Sequence, residues 1–241
     1  MKFKPIKMKA LPCLLLIFIQ ILFLCRANGQ TPNTLTKKEQ ETGWHLLFDG
    51  KTLNGWRKLT DSGWIVENGE LKAVGGSIGK QMDIITMDQY DNFELVFEFK
   101  ISQASNSGVK YLVTNDYPEQ KGAYLGLEYQ ILDDINFVYP DRGELRTLSS
   151  LYDLIPATKK PIKPLGKWNT ARIIVANHEI SHWLNDSNVV RYQRDDAVFK
   201  ELVKKSKYKN LKNFGKMERG HILLQNEGSP ISFRNIKIKK R

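Results

Sequence analysis

Three short stretches gather the side chains that could do chemistry. "LGLEYQILDD" carries Glu128, Gln130 and Asp133, "SHWLND" carries His182 and Trp183, and "LQNEGSPISFRN" carries Gln225, Glu227 and Arg234. Carboxylates and an imidazole move protons, amides and a guanidinium hydrogen-bond to hydroxyls, and flat aromatics cover the apolar face of a ring. That is the equipment of a saccharide site. Other chemistries fit less well. There is no G-x-S-x-G elbow, and no cysteine follows Cys25, so the familiar acyl-transfer machinery is missing. "VGGSIGK" lacks phosphate-loop spacing, since Gln81 follows Lys80 and no helical pattern comes after it; it reads as a hairpin loop. The histidines at 45, 178, 182 and 221 are scattered, and His178 and His182 on one strand point the same way but lie far apart, which disfavours zinc. No cofactor is expected, while a structural calcium held by Asp and backbone oxygens stays open.

The elements that must position these groups are short strands. "WHLLF", "WIV", "GELKAV", "DIITM", "FELVFEFKI", "GVKYLVT", "LGLEYQIL", "ARIIVAN", "EISHWLN", "VVRYQ", "HILLQ" and "ISFRNIKI" are β-type runs separated by turn residues. They predict an all-β fold, an antiparallel sandwich, with Asn68-Gly69 closing a tight hairpin and "NH" and "NDSN" dividing a meander. In "FELVFEFKI" the residues Phe93, Leu95, Phe97 and Phe99 share one face, and the consecutive Ile173, Ile174 and Val175 suggest a strand covered on both sides. One peripheral helix is expected, capped by Asp195, with Val198, Phe199, Leu202 and Val203 at helical spacing. No βαβ alternation points to a doubly wound sheet.

At the N-terminus four lysines precede "LLLIFIQILFL" and small residues follow at Ala27 and Gly29, the pattern of a signal peptide over 1–29. The apolar run is too short for a stable transmembrane anchor. Cleavage after Gly29 removes both cysteines; acylation of Cys25 as a lipoprotein is the weaker alternative, because Leu24 stands where a small residue is wanted. Residues 30–42 read as a linker and 43–241 as one domain in a periplasmic or secreted protein. The formal charge of +11 falls to +6 once the five cations of 1–29 are gone, and no nucleic-acid motif accompanies the basic run "KELVKKSKYKNLKNFGK", which reads as a solvated face.

Seven blocks in order, "LTKKEQETGWHLLFDGKTLNGW", "SGVKYLV", "LEYQILDD", "SLYDLIPA", "GKWNTARIIVANHEISHWLND", "SKYKNLKNFG" and "GHILLQNEGSPISFRNIKI", resemble the bacterial 3-keto-disaccharide hydrolase family over roughly residues 35–239. The resemblance implies a concanavalin A-like jelly roll, an exported setting and a saccharide substrate. Two departures stand out. Gln225-Asn226-Glu227-Gly228 replaces the "QDHG" of many relatives, putting Glu227 at the histidine position, and Asn185-Asp186 replaces an Asn-Gly turn. The implied chemistry is proton abstraction beside a ketone, elimination of the C1 oxygen and hydration, which needs a base and enolate donors.

Glu128 is the first candidate for that base, with Gln130 on its face, Gly126 sparing bulk there, and Lys110 positioned to hold the carboxylate ionised or to donate to the ketone; a solvated strand residue paired with Lys110 is the alternative. His182 is the second candidate, although Ile180 and Leu184 share its face and equally suit a core histidine. Trp183 points the other way, as sugar platform or packed core. Arg234, read on the face of Ile236 and Ile238, calls for a carboxylate partner in Glu227 or Asp133, and Asp133 also fits the turn ending its strand. Two other functions compete: a non-catalytic lectin, and a classical glycosidase using Glu94 and Glu98 around Val96.

Overall fold

Period-two patterning of these runs builds two antiparallel sheets with a single core between them. The structure, a computed structural model, describes residue 1 and residues 30–75, 82–137 and 143–241. Residues 2–29, expected to belong to a signal peptide, most of "VGGSIGK" and the middle of the 135–153 stretch lie outside the described residues. Thirteen strands are present among them: β1 (Trp44–Leu46), β2 (Trp56–Lys58), β3 (Trp64–Glu67), β4 (Glu70–Ala73), β5 (Ile84–Thr86), β6 (Phe93–Ile101), β7 (Asn106–Thr114), β8 (Leu125–Leu132), β9 (Asn169–Ala176), β10 (Glu179–Leu184), β11 (Ser187–Gln193), β12 (His221–Leu224) and β13 (Ile231–Lys240). The larger sheet runs β11-β10-β9-β6-β13-β4-β3, with β1 also on β13; the smaller runs β2-β5-β12-β7-β8. All pairings are antiparallel, as a jelly-roll sandwich requires.

The inner faces meet in an aromatic core. Phe93, Leu95, Phe97 and Phe99 of β6 are fully buried, as their alternation predicts, and Phe97 meets Tyr129 of β8 edge-on at 5.7 Å between centroids. Each such side chain contributes about 1.5–3 kcal/mol through burial. In β9, by contrast, Ile174 is only half-buried while Ile173 and Val175 are sealed, so this strand is covered on one face, not two. Turns follow their chemistry. Asn68 and Gly69 (φ 53° and 74°) close β3–β4, and Asn185 and Asp186 (φ 44° and 65°) close β10–β11, the left-handed pair a two-residue hairpin needs.

Three further expectations change. The helix α2 (Ala197–Lys205) is capped by Asp196, whose side chain accepts from Phe199 N at 2.7 Å, one residue beyond Asp195. Residues 30–42 are not a free linker. Thr36 and Glu39 form a capping box around the short helix α1 (Lys37–Glu41), Lys237 pairs with Glu39, and Asn33 and Asn235 exchange backbone-to-amide hydrogen bonds of 2.5 and 2.8 Å. Finally, β13 carries a bulge between Arg234 and Lys237, with Asn235 at φ 52°. The extra residue lets Phe233, Ile236 and Ile238 all face inward and turns Arg234 outward, away from the face assigned to it.

Candidate active site on the smaller sheet

Strand alternation sends Leu127, Tyr129 and Ile131 into the core and Glu128 and Gln130 to the outer face of the smaller sheet. Register does the rest. Lys110 of β7 pairs with Glu128, Gly108 pairs with Gln130, and Gln225 N donates to Gly108 O at 2.9 Å, so three strands bring these groups to one place. Gly108 is the vacancy they share. A Cβ on it would fall 2.6 Å from Glu128 Oε1 and 3.1 Å from Gln225 Oε1. Gly126 has a different task, since a Cβ there would meet Tyr111 O at 2.5 Å where β7 bulges.

This outer face is not a wet one. Two segments wall it. Residues 149–152 run beside β8, with Ser149 N on Gln130 O (2.8 Å) and Tyr152 N on Glu128 O (3.0 Å). The buried Asp153 carboxylate accepts from Arg146 Nε at 2.8 Å and from Lys207 N at 2.7 Å, which ties the turn after α2 to that wall. Lys207 Nζ thereby lies 4.3 Å from the Tyr152 ring centre and 5.1 Å from that of Tyr208. On the other flank Ile85, Val113 and Leu223 make a small apolar cluster with Leu59 and Tyr124, separate from the main core.

Burial governs the electrostatics. Glu128 is 4% exposed and Lys110 8%. Burial pushes the Glu128 carboxyl above its ordinary value; the positive charges of Lys110 and Lys207 oppose that rise and Glu227 and Asp83 add to it. Lys207 is exposed as a residue, and partial screening of its ammonium from water lowers its pKa against the pull of Glu128, with Lys110 adding repulsion. Burial likewise raises Tyr208 well above a normal phenol, and Glu128 reinforces it. The Gln130 amide, in the orientation its surroundings satisfy, points its nitrogen at Glu128 Oε1 (3.0 Å) and Ser107 O (3.1 Å). Gln225 Nε2 donates to Glu227 Oε1 at 2.5 Å, which sets Glu227 at the exposed rim. The result is a buried carboxylate with two lysines near it and two amides alongside.

Lys110, Glu128, Gln130, Gln225 and Glu227 therefore come together, and four of the nominated residues do not. His182 is fully buried between the sheets, hydrogen-bonded to Tyr111 Oη (2.8 Å) and Ser149 O (3.0 Å), with burial lowering its pKa to about 4. It is a neutral core group out of substrate's reach. Trp183 pairs with Arg172 on the outer face of the larger sheet, and its Nε1 donates to Ser181 Oγ at 3.0 Å. Arg234 pairs on that same outer face with Glu98 (2.5 Å) and stacks 4.2 Å from Trp168, so its partner is neither Glu227 nor Asp133. Asp133 is committed to its turn, accepting from Ala104 N (2.8 Å) and Asn136 Nδ2 (2.7 Å). Glu94 pairs with Arg172 at 3.1 Å, so the Glu94–Glu98 arrangement is a row of ion pairs, not a catalytic groove.

Sequence reasoning missed Gly108, Lys207, Tyr152, Tyr208 and the Arg146–Asp153 tie. Lys207 was hidden in a basic run that reads as solvent-facing, and no local spacing marks it. Among the described residues no three His, Cys, Asp or Glu side chains group as a metal site, and no helix is long and apolar enough to cross a membrane.

Two facing antiparallel sheets with a polar site on the outer face of the smaller one define a concanavalin A-like jelly roll. A Bacillus subtilis protein of unknown function with a galectin-like fold shares it at 10% identity and TM-score 0.50, covering 88% of this chain and 95% of its own. A family of 3-keto-alpha-glucoside-1,2-lyase-like domains matches residues 43–239, and the chain belongs to that family. Consistent with this, it is 34% identical over 228 residues to a 3-keto-disaccharide hydrolase of Bacteroides thetaiotaomicron, spanning 82% of this chain and 78% of the relative. A crystal structure from Parabacteroides distasonis, provisionally described as a glycosyl hydrolase, superposes with TM-score 0.79 at 29% identity, covering 88% of this chain and all of that one.

Proposed function

We propose that this glycoside hydrolase cleaves 3-keto-glycosides by elimination and hydration, with Glu128 as the base. The observation that carries the reading is a buried carboxylate, raised by desolvation, held between Lys110 and Lys207 on a floor of amides. A ketone at C3 makes the C2 proton acidic. Glu128 takes that proton and the C–H electron pair moves into an enolate whose O3 charge Lys110 neutralises. The enolate collapses to a C1=C2 bond as the C1–O bond breaks, and Lys207 gives its proton to the leaving oxygen. Water then adds at C1, returning a proton to Lys207, while Glu128 returns one to C2. The net change is hydrolysis.

The half-buried Gln225 supplies a hydrogen bond for a hydroxyl while the buried Gln130 amide holds Glu128, and Tyr124, packed over the buried Leu223, offers an apolar face beside them. Export to the periplasm or beyond is part of the same reading, supported by the basic and apolar N-terminal run. Turnover of a 3-keto-disaccharide in heavy water tests the mechanism. Elimination and hydration place deuterium at C2 of the product faster than buffer alone exchanges it. Product that forms at full rate with C2 protium intact overturns the scheme in favour of direct displacement.

A further inference from the structure

A second cleft of about 630 Å³ lies between α2 and the segment that follows it. It uses the loop that walls the active site but not the same residues: Lys207 and Tyr208 accompany Glu128, whereas Lys209, Leu211, Lys212 and Phe214 line the cleft. Six cationic side chains border it against two acids. Lys204 is paired with Glu201 and Arg194 with Glu218. Lys200, Lys209, Lys212 and Lys216 have no carboxylate in contact among the described residues, so their field is uncompensated.

Behind the cleft wall lies an orphan donor. Arg194 is 3% exposed; its Nη1 donates to Gly215 O (3.2 Å) and Met217 O (2.6 Å) and its Nη2 to Glu218 (2.6 Å), while Nε has no acceptor. A rim of free ammonium groups backed by a buried guanidinium is the chemistry of an oxyanion site. The aromatic residues narrow the ligand further. Phe199 stacks on Tyr192 and Phe214 on Tyr208, so their faces are already covered and none is presented as a platform for a nucleobase.

The geometry points to a second, non-catalytic site that binds an anionic saccharide through its sulfate or carboxylate groups. The saccharide class rests on the functional reading above, and the anion preference does not. The cleft has room for one or two sugar rings. Its use would be to hold a charged glycan while the neighbouring site works on a neutral end.

Calorimetric titration of the full chain with a sulfated hexasaccharide, a galacturonate hexamer, a neutral cello-oligosaccharide and single-stranded DNA tests this. Binding of one or both anionic sugars, with the neutral one silent, is expected, and the stronger of the two identifies sulfate or carboxylate. Lys209→Gln/Lys212→Gln, both exposed positions, weakens that binding by about tenfold and lowers its salt dependence. The same variant turns over a neutral 3-keto-disaccharide at the parent rate. Arg194→Gln, checked for a native circular dichroism spectrum, weakens binding as well. Silence from both anionic sugars, affinity untouched by the lysine variant, or equal binding of DNA overturns the proposal. Anionic-sugar binding by a protein that turns over no keto-glycoside condemns the catalytic reading and leaves the cleft standing.

Discussion

The outer faces of the two sheets hold the same kinds of residue and put them to opposite use. On the larger sheet every prominent carboxylate has a cation in contact: Glu98 with Arg234, Glu94 with Arg172, Glu70 with Lys100 at 2.8 Å. These pairs are partly exposed, and water and counter-charge leave them inert. On the smaller sheet Glu128 is buried but 4% exposed, and its two lysines act on it through space. Among the described residues neither makes a close ion pair with it. Charge that is paired and wet is structure, whereas charge that is buried and left open is reactive.

The comparison can be broken most severely at its centre. Glu128→Gln removes the proposed base while keeping size and hydrogen bonding, and kcat for a 3-keto-disaccharide falls about 10²–10⁴-fold with the melting temperature held or raised. The carboxyl is raised in the folded state, so its ionised form is the less stable one: stability declines as pH rises through the folded pKa, and Glu128→Gln abolishes that decline. Turnover needs the ionised base, so its acid limb lies above that of an ordinary carboxylate. Next, Lys207→Met removes a cation from the open side, and steady-state kinetics will show a loss of about 10²–10³-fold, mainly in kcat.

His182 belongs to neither face and gives a pH test of its own. Its pKa falls from 6.5 to about 4 on folding, so the unfolded chain takes up a proton first. Stability is full above the unfolded pKa and drops by about 3 kcal/mol as pH falls through the folded one, which urea titrations at pH 7, 5.5 and 4 will resolve. Gly108→Ala displaces the tips of Glu128 and Gln225 without touching the core, and turnover falls by about 10²-fold through lost alignment. The smallest effect is on the opposite face. Glu98→Gln with Arg234→Met costs about 1 kcal/mol or less and leaves kcat unchanged; a large loss of activity there would erase the distinction between the faces.

What the sequence made legible follows from period. Every strand but β2, which no run marked, the hairpin at Asn68-Gly69 and the opposition of Lys110 and Glu128 come from alternation and turn chemistry. What stayed hidden depends on insertions in that period or on distant chain. The bulge at Asn235 turned Arg234 to the wrong face on paper, and the left-handed Leu112 (φ 51°) shifted β7 so that Val113 joins Lys110's side. His182 has the right residue type for catalysis, but only the opposing sheet, with Tyr111 and Ser149, shows that it is enclosed. Lys207 and Asp153 meet across 54 positions of chain, beyond any local pattern.

The Asn33–Asn235 clasp has a consequence for how this fold tolerates change. Asn235 sets the phase of β13, and everything after it is a reading frame in space: Ile236 and Ile238 inward, Lys237 and Lys239 outward. Flattening the bulge with Asn235 still in the strand would exchange the two sets along the whole C-terminal half, much as an inserted nucleotide scrambles a message downstream. The N-terminal arm, by gripping that residue through its amide, works as a proofreader of the frame.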